Sequence, residues 1–408
     1  MKKNYYRNIT ILGLLLSIVW IIMVNTQPYS DFKYYNDLAK QMASGGAWGD
    51  TYTSVGYSIV LGFVYRIFGA NLMVAKVFNI FLTALNYLMF YWIVQQINIS
   101  ERKQKIIYGM FVLFPNNIFY NSITGTEIIF VTVLFMITLV YFSDFKHKYV
   151  ALGALTAVAA MIKPFFFLFF FAVFVIELLL KNKLLDVLKH SILILIVSMI
   201  CLSPWIYRNT KLIGQFTLIS NNKGIVLYIN NNSQNHTGLW MDAKNVENSI
   251  VNKKSYINAN ATEKNKMLTA AAKKWIVSHP GQFVVLGFKR LINTYFSCSD
   301  ISYSFYGSGM NPSIQMLLGT LSNDVKIIVF VIAVISIIAY SVKVIQSFVT
   351  KKELDKFSVY GLIIFYMVTC TYFVTEGQPR YSFPVIFIAI CFFVNVPNFA
   401  MKFITRKG

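Results

Sequence analysis

Residues 149–180 read YVALGALTAVAAMIKPFFFLFFFAVFVIELLL, and only Lys163 and Glu177 in this block carry charge. So long an apolar run suits a bilayer, and it lacks the strict alternation of a barrel strand. Pro164 cannot continue a helix and disfavours helix at the residue before it. The block therefore divides at Lys163-Pro164 into halves of roughly 13–17 residues, each short of the ~20 that a spanning helix needs. The expected shape is two short helices meeting at a dent in one membrane face. A lysine there costs roughly 2.5–3.5 kcal/mol by insertion scales, which points to function. The plainer alternative is that Lys163 reaches up to phospholipid headgroups.

Working outward, the composition agrees. Hydrophobic residues are 56% and charged residues 13% of the 408, against ~25% charged in soluble domains. The fold class is an all-α polytopic membrane protein. A formal net charge of +21 would suggest nucleic acid in a soluble chain; here membrane topology accounts for much of it, and no nucleic-acid partner is expected. Cys201, Cys298, Cys370 and Cys391 show no paired spacing, so neither a disulfide framework nor a zinc site is expected. The four histidines are scattered and give no metal-ligand motif. Lys2, Lys3 and Arg7 precede an apolar core with no small-residue cleavage site after it. That stretch reads as a retained first helix.

Ten crossings are predicted, over 9–26, 71–97, 106–121, 126–142, 149–162, 164–180, 190–207, 325–345, 358–374 and 382–400. The positive-inside rule tests this layout. Lys2, Lys3 and Arg7, then Arg102, Lys103 and Lys105, then Lys146 and Lys148, then Lys181, Lys183 and Lys189 fall in alternate short loops. So do Lys343, Lys351, Lys352 and Lys356, and finally Lys402, Arg406 and Lys407. The short opposite segments, 116–125 and 375–381, carry only Arg380. Both termini are therefore expected in the cytoplasm. Three regions follow: an N-terminal bundle over 1–207 with a first outer loop and surface helix at 27–70, an outer segment with an interfacial helix over 208–296, and C-terminal helices over 297–408. The outer segment is expected to be a small α/β unit, with Ile225 to Ile229 extended, a helix from Ala259 to Ser278, and an amphipathic surface helix over 283–296.

The chain has 16 acidic residues, and two of them, Asp31 and Asp37, open the first outer loop in SDFKYYND, residues 30–37. A plain reading makes Asp31 an N-cap. Glu127, Lys163, Arg208, Glu376 and Arg380 all fall on the same face by the charge-derived topology. Lys and Arg suit a phosphate, and carboxylates suit a base or a divalent metal. No phosphate-binding loop, dinucleotide fingerprint or zinc-protease motif is present.

These residues bring a family into view. Ser30-Asp31-Phe32-Lys33-Tyr34-Tyr35-Asn36-Asp37-Leu38-Ala39, then Ser54-Val55-Gly56-Tyr57-Ser58, Thr124-Gly125-Thr126-Glu127, Lys163-Pro164 and Ser203-Pro204-Trp205-Ile206-Tyr207-Arg208-Asn209 occur in order. The pattern resembles the GT-C glycosyltransferases, in the protein O-mannosyltransferase-like branch that includes the bacterial 4-amino-arabinose lipid A transferases. Phe32 stands where that family often has a second acid, and Lys163-Pro164 lacks its intervening glycine. The resemblance implies an enzyme of the bacterial plasma membrane with its active site outside. It would take a sugar from a polyprenyl-phosphate carrier and pass it, with inversion, to an acceptor hydroxyl on a cell-envelope glycopolymer, lipid or protein. Asp31 would be the base and Glu127 would shape the site, with a divalent cation left open as a cofactor. Lys163 and Arg208 would hold the carrier phosphate. Tyr34, Tyr35, Asp37 and Arg380 complete the expected substrate-binding set. Two other classes use a similar cavity: a flippase for lipid-linked sugars, which needs polar residues at mid-membrane or two pseudo-symmetric halves, and a polysaccharide polymerase or ligase, favoured by a large late outer loop rich in arginine.

Overall fold

The computed structural model describes residues 2–297, 300–350 and 352–395. Among them no strand occurs. Seventeen α-helices follow in order: α1 Lys2–Met23, α2 Ser30–Ala43, α3 Gly56–Phe68, α4 Leu72–Gln96, α5 Glu101–Val112, α6 Pro115–Phe119, α7 Glu127–Phe142, α8 Lys148–Ile162 and α9 Phe169–Leu179. Then come α10 Leu184–Ile213, α11 Lys223–Asn230, α12 Lys254–Ile257, α13 Ala261–Ser278, α14 Pro280–Tyr295, α15 Pro312–Thr350, α16 Lys356–Val374 and α17 Ile386–Val394. Five helices are long and apolar enough to cross a membrane: Asn4–Met23, Leu72–Gln96, Leu184–Ile213, Pro312–Ser347 and Lys356–Val374. Four more of the expected crossings are shorter apolar helices, at Glu127–Phe142, Lys148–Ile162, Pro164–Leu179 and Pro379–Val394. The remaining one, 106–121, is not a continuous helix. It breaks after Val112, passes Leu113 and Phe114 and resumes at Pro115 as a short helix and a 3₁₀ turn, because proline removes a donor and clashes with the preceding turn. Residues 396–400 of the last expected crossing, and Cys298, Lys351, Lys402, Arg406 and Lys407, lie outside the described residues.

The break at Lys163-Pro164 is present. α8 stops at Ile162, Lys163 takes an extended backbone, and Pro164–Leu168 forms a 3₁₀ turn before α9. α8 packs between α7 and α10, α4 packs on α7, and α15 packs on α17. One apolar core runs through these helices, with Phe90, Phe130, Phe135 and Ile364 wholly buried. Lys103 reaches Asn395 and Lys181 reaches the Ser347 carbonyl. The lysine-bearing turns of the first and last halves of the chain thus meet at one end of the bundle.

The opposite end holds α2, α3 and the unit formed by residues 208–296, expected on the outer side. The expected strand at Ile225–Ile229 is instead part of helix α11, which corrects the α/β reading to all-α. Gly224, Leu227 and Tyr228 are its buried residues toward α13. Spacings of three and four are helical, and a short apolar run cannot separate strand from helix by period alone. Leu268 and Ala272 of α13 turn inward to meet it, and Tyr228, Ile229, Ala243, Val246 and Leu268 form a small separate core. α14 exposes Val284, Val285, Phe288 and Ile292, the apolar face expected of an interfacial helix. Arg290 of the same helix is fully buried.

Candidate active site

Three turns of chain converge where α2, α7 and the α8–α9 break meet. α2 begins abruptly. Tyr29 is extended and Ser30 takes a positive φ of 50°, a conformation that costs a non-glycine residue roughly 1–2 kcal/mol. Asp31 therefore lies in the first helical turn, and Tyr29, not Asp31, occupies the N-cap position. Thr124 Oγ1 donates to the Phe32 carbonyl at 2.9 Å. This ties the start of α2 to the loop before α7 and sets Asp31 near Glu127.

Two ion pairs form there. The Arg380 guanidinium donates to Asp31 Oδ2, and Lys163 Nζ lies 3.5 Å from Glu127 Oε1. They differ in access: the Asp31 side chain is 50% exposed, whereas Glu127 is 1% exposed. Tyr381 links them, its ring 5.5 Å from Arg380 and 5.8 Å from the Lys163 ammonium. Phe32 and Tyr303 also face the Arg380 guanidinium, at 5.0 Å and 5.8 Å. Glu127 Oε2 is buried without a hydrogen-bond partner, and so is Arg380 Nε. A buried carboxylate oxygen left unpaired is costly, so the cluster retains capacity for a bound polar group. Gly125 is required beside it, because a Cβ there would sit 2.6 Å from Glu127 Oε2 and 3.0 Å from the Phe32 ring.

Tyr35 closes one side. Its phenol is pushed up by burial, with the Asp31 charge adding and Arg380 opposing, so it stays a hydroxyl donor. Glu376 lies nearby and is buried. Gln378 Nε2 donates to its Oε1 at 2.6 Å and Tyr381 Oη to its Oε2 at 3.3 Å. Burial pushes the Glu376 carboxyl up, against the pull of its Gln378 bond and Arg380.

The other expected residues stand apart from these pairs. Asp37 turns to the exposed side of α2 and pairs with Lys33 at 2.5 Å, since six residues rotate it well away from Asp31. Tyr34 donates to Asp50 Oδ1 at 3.2 Å. Arg208 lies against the Trp205 ring at 4.4 Å and donates to the Trp48 and Gly49 carbonyls. It thus fixes the loop that carries Asp50 and is not bonded to Lys163. Beside that loop, α2 and α3 enclose a groove of about 210 Å³ lined by Met42, Trp48, Ile59, Phe63 and Arg66.

Sequence reasoning passed over Tyr303, Tyr381 and a third buried pair. Asp300 lies 3.7 Å from Lys326 Nζ, and Lys326 donates to the Pro379 carbonyl at 2.9 Å, one residue before Arg380. The signal of Asp300 and Lys326 was available, since acids are scarce in this chain and Lys326 opens an apolar run. The residues present fit a divalent cation poorly. Asp31 and Glu127 each hold a cationic side chain, and among the described residues no group of three His, Cys, Asp or Glu side chains comes together to hold a metal ion. No family model matches this chain, and no curated protein matches it significantly.

Proposed function

We propose that this protein is an integral membrane glycosyltransferase of the GT-C type. It moves a sugar from a polyprenyl-phosphate carrier to an acceptor hydroxyl on the outer face of a bacterial plasma membrane. The observation that carries this reading is the paired constellation of Asp31–Arg380 and Glu127–Lys163 around Tyr381, one carboxylate exposed and the other buried. In this reading the bundle end rich in lysine is cytoplasmic, the shorter apolar helices also cross the bilayer to make ten spans, and α2, α3 and the outer unit face outward.

The chemistry follows from charge. The acceptor oxygen forms a bond to the anomeric carbon while the bond from that carbon to the carrier phosphate breaks, and the electron pair leaves with the phosphate. Asp31 takes the acceptor proton, a role typically worth ~10²–10⁴-fold. Lys163 and Arg380 are the cations on hand for the leaving phosphate, while Arg208 holds the neighbouring loop, and donors aimed at developing charge stabilise the transition state. A phosphate that engages the Arg380 guanidinium loosens its hold on Asp31, so donor binding readies the base. Glu127 holds Lys163 in place, and the groove between α2 and α3 suits an isoprenoid chain.

Purified wild-type and Asp31→Asn protein, incubated with radiolabelled polyprenyl-phosphate sugars and cell-envelope extract, tests the reading. Label should leave the carrier with wild type only, Asp31→Asn losing ~10²-fold or more while remaining folded. Equal transfer by both proteins removes Asp31 from its role. No transfer from any donor removes the enzyme reading.

A further inference from the structure

The unit formed by residues 208–296 is strongly basic. Between Lys211 and Lys289 it carries ten lysines against three acids, Asp242, Glu247 and Glu263. Among the described residues none of these ten lysines forms an ion pair, and nine of them are exposed, Lys264 being half-buried. Translocating such a segment is tolerated but not favoured by its charge.

The placement of this charge is informative. Lys266, Lys273 and Lys274 lie on the side of α13 away from its buried Leu268 and Ala272, so they do not serve the unit's core. Lys253 and Lys254 begin α12, and Lys264 Nζ lies 5.5 Å from the ring of Tyr256 in the same helix. Another part of the same unit is tied to the loop that carries Asp50. Asn221 N donates to the Thr51 carbonyl at 2.7 Å, and Tyr52 N donates to Asp50 Oδ1 at 2.9 Å. Burial, and then Tyr256, Asp31 and Asp50, push the Tyr52 hydroxyl up. Tyr52 is also 51% exposed, a ring face open to a sugar.

We infer that the outer unit is a docking surface for a polyanionic acceptor, a glycopolymer rich in phosphate or carboxylate, held over Lys253, Lys254 and Lys264. The inference rests on the glycosyl-transfer reading for the word acceptor, and on the charge and its placement for the rest. Exposed lysines without acidic partners match a repeating anion. The lipid-facing side of the unit is already supplied by the apolar face of α14.

The test uses full-length protein in phosphatidylcholine nanodiscs, with inorganic polyphosphate and polygalacturonate as probes and neutral dextran as control. The combined variant Lys253→Glu, Lys254→Glu, Lys264→Glu should weaken both polyanions about tenfold or more, since each ~1.4 kcal/mol is tenfold. The matched variant Lys146→Glu, Lys183→Glu, Lys189→Glu, at the other end of the bundle, should leave binding nearly unchanged, and dextran should not bind. Equal weakening by both variants overturns the inference. Capture of phosphatidylglycerol vesicles that depends on the first set of lysines, without capture of either polymer, overturns it in favour of headgroups. Specific polyanion binding with no label leaving any polyprenyl-phosphate sugar keeps the surface and removes the transfer reading. Transfer with no polyanion binding does the reverse.

Discussion

At the scale of single residues, the site is a set of charges that a membrane protein does not hold without cause. Glu376 shows how burial tunes them. Its carboxyl is raised by burial, so the folded protein holds this proton more tightly than the unfolded chain does. The resulting stability is fully present below the unfolded value of ~4.3 and is lost as pH rises through the folded value. The melting temperature of wild type relative to Glu376→Gln should therefore fall as pH goes from about 4 to 7. A difference that is flat or rises over that range removes the burial argument. The rarity of charge is also what made the site legible. With 16 acids in 408 residues, Asp31 and Glu127 stand out before any folding is considered, and Lys163 does so because an apolar block surrounds it. Their pairings were not legible. Arg380 lies 349 residues from Asp31, and nothing local in either stretch names its partner. Tyr381 and Tyr303 were hidden for another reason: there are 25 tyrosines, and only the fold selects the ones that matter.

At the scale of elements, the interruption of the 149–180 block shapes the site, and a glycine maintains it. The first residue of α3, Gly56, packs on the end of α8. A Cβ there would lie 2.6 Å from the Met161 carbonyl oxygen, 2.7 Å from its carbon and 3.0 Å from Ile162 N. All three are backbone atoms, so no rotamer change relieves the clash. Ser54 Oγ donates to the Ile162 carbonyl at 3.0 Å in the same contact, immediately before Lys163. Gly56→Ala gains at most ~1 kcal/mol of helix propensity, and less than that at a first position. Forcing α3 away from α8 costs roughly 1–3 kcal/mol, so the clash wins. Gly56→Ala should melt at lower temperature than wild type in a thermal scan in detergent, and an unchanged or higher melting temperature would show that α3 can shift freely. The break itself was legible, because proline acts through its own covalent geometry. The helical state of Ile225–Ile229 was not, because it depends on Leu268 and Ala272 of α13, which the local sequence does not contain.

At the scale of the molecule, one buried arginine pins the bundle to the unit formed by residues 208–296. Arg290 of α14 is fully buried. Its Nη1 donates to the Phe373 carbonyl at 2.6 Å and to the Val374 carbonyl at 3.3 Å, at the end of α16. Its Nη2 donates to the Asn230 carbonyl and, at 3.0 Å, to Asn231 Oδ1, at the end of α11. Gly377 and Gly238 pack on its backbone, where a Cβ on either would come within 3.0 Å, and Gly377 N donates to the Gly238 carbonyl at 3.0 Å. The pinned end of α16 lies two residues before Glu376, so the same contact that seats the outer unit borders the site. Burying a cation is unfavourable in itself, and its stability here comes from the carbonyls that surround it. Arg290→Met keeps the bulk of the side chain but leaves those carbonyls without a donor, at roughly 1–3 kcal/mol for each one that water cannot reach. Hydrogen exchange should then speed up about 5- to 150-fold in α11 and α14 while α4 and α7 keep their protection. Acceleration spread evenly over α4 and α7 would mean that Arg290 supports the whole bundle and does not act as a local pin.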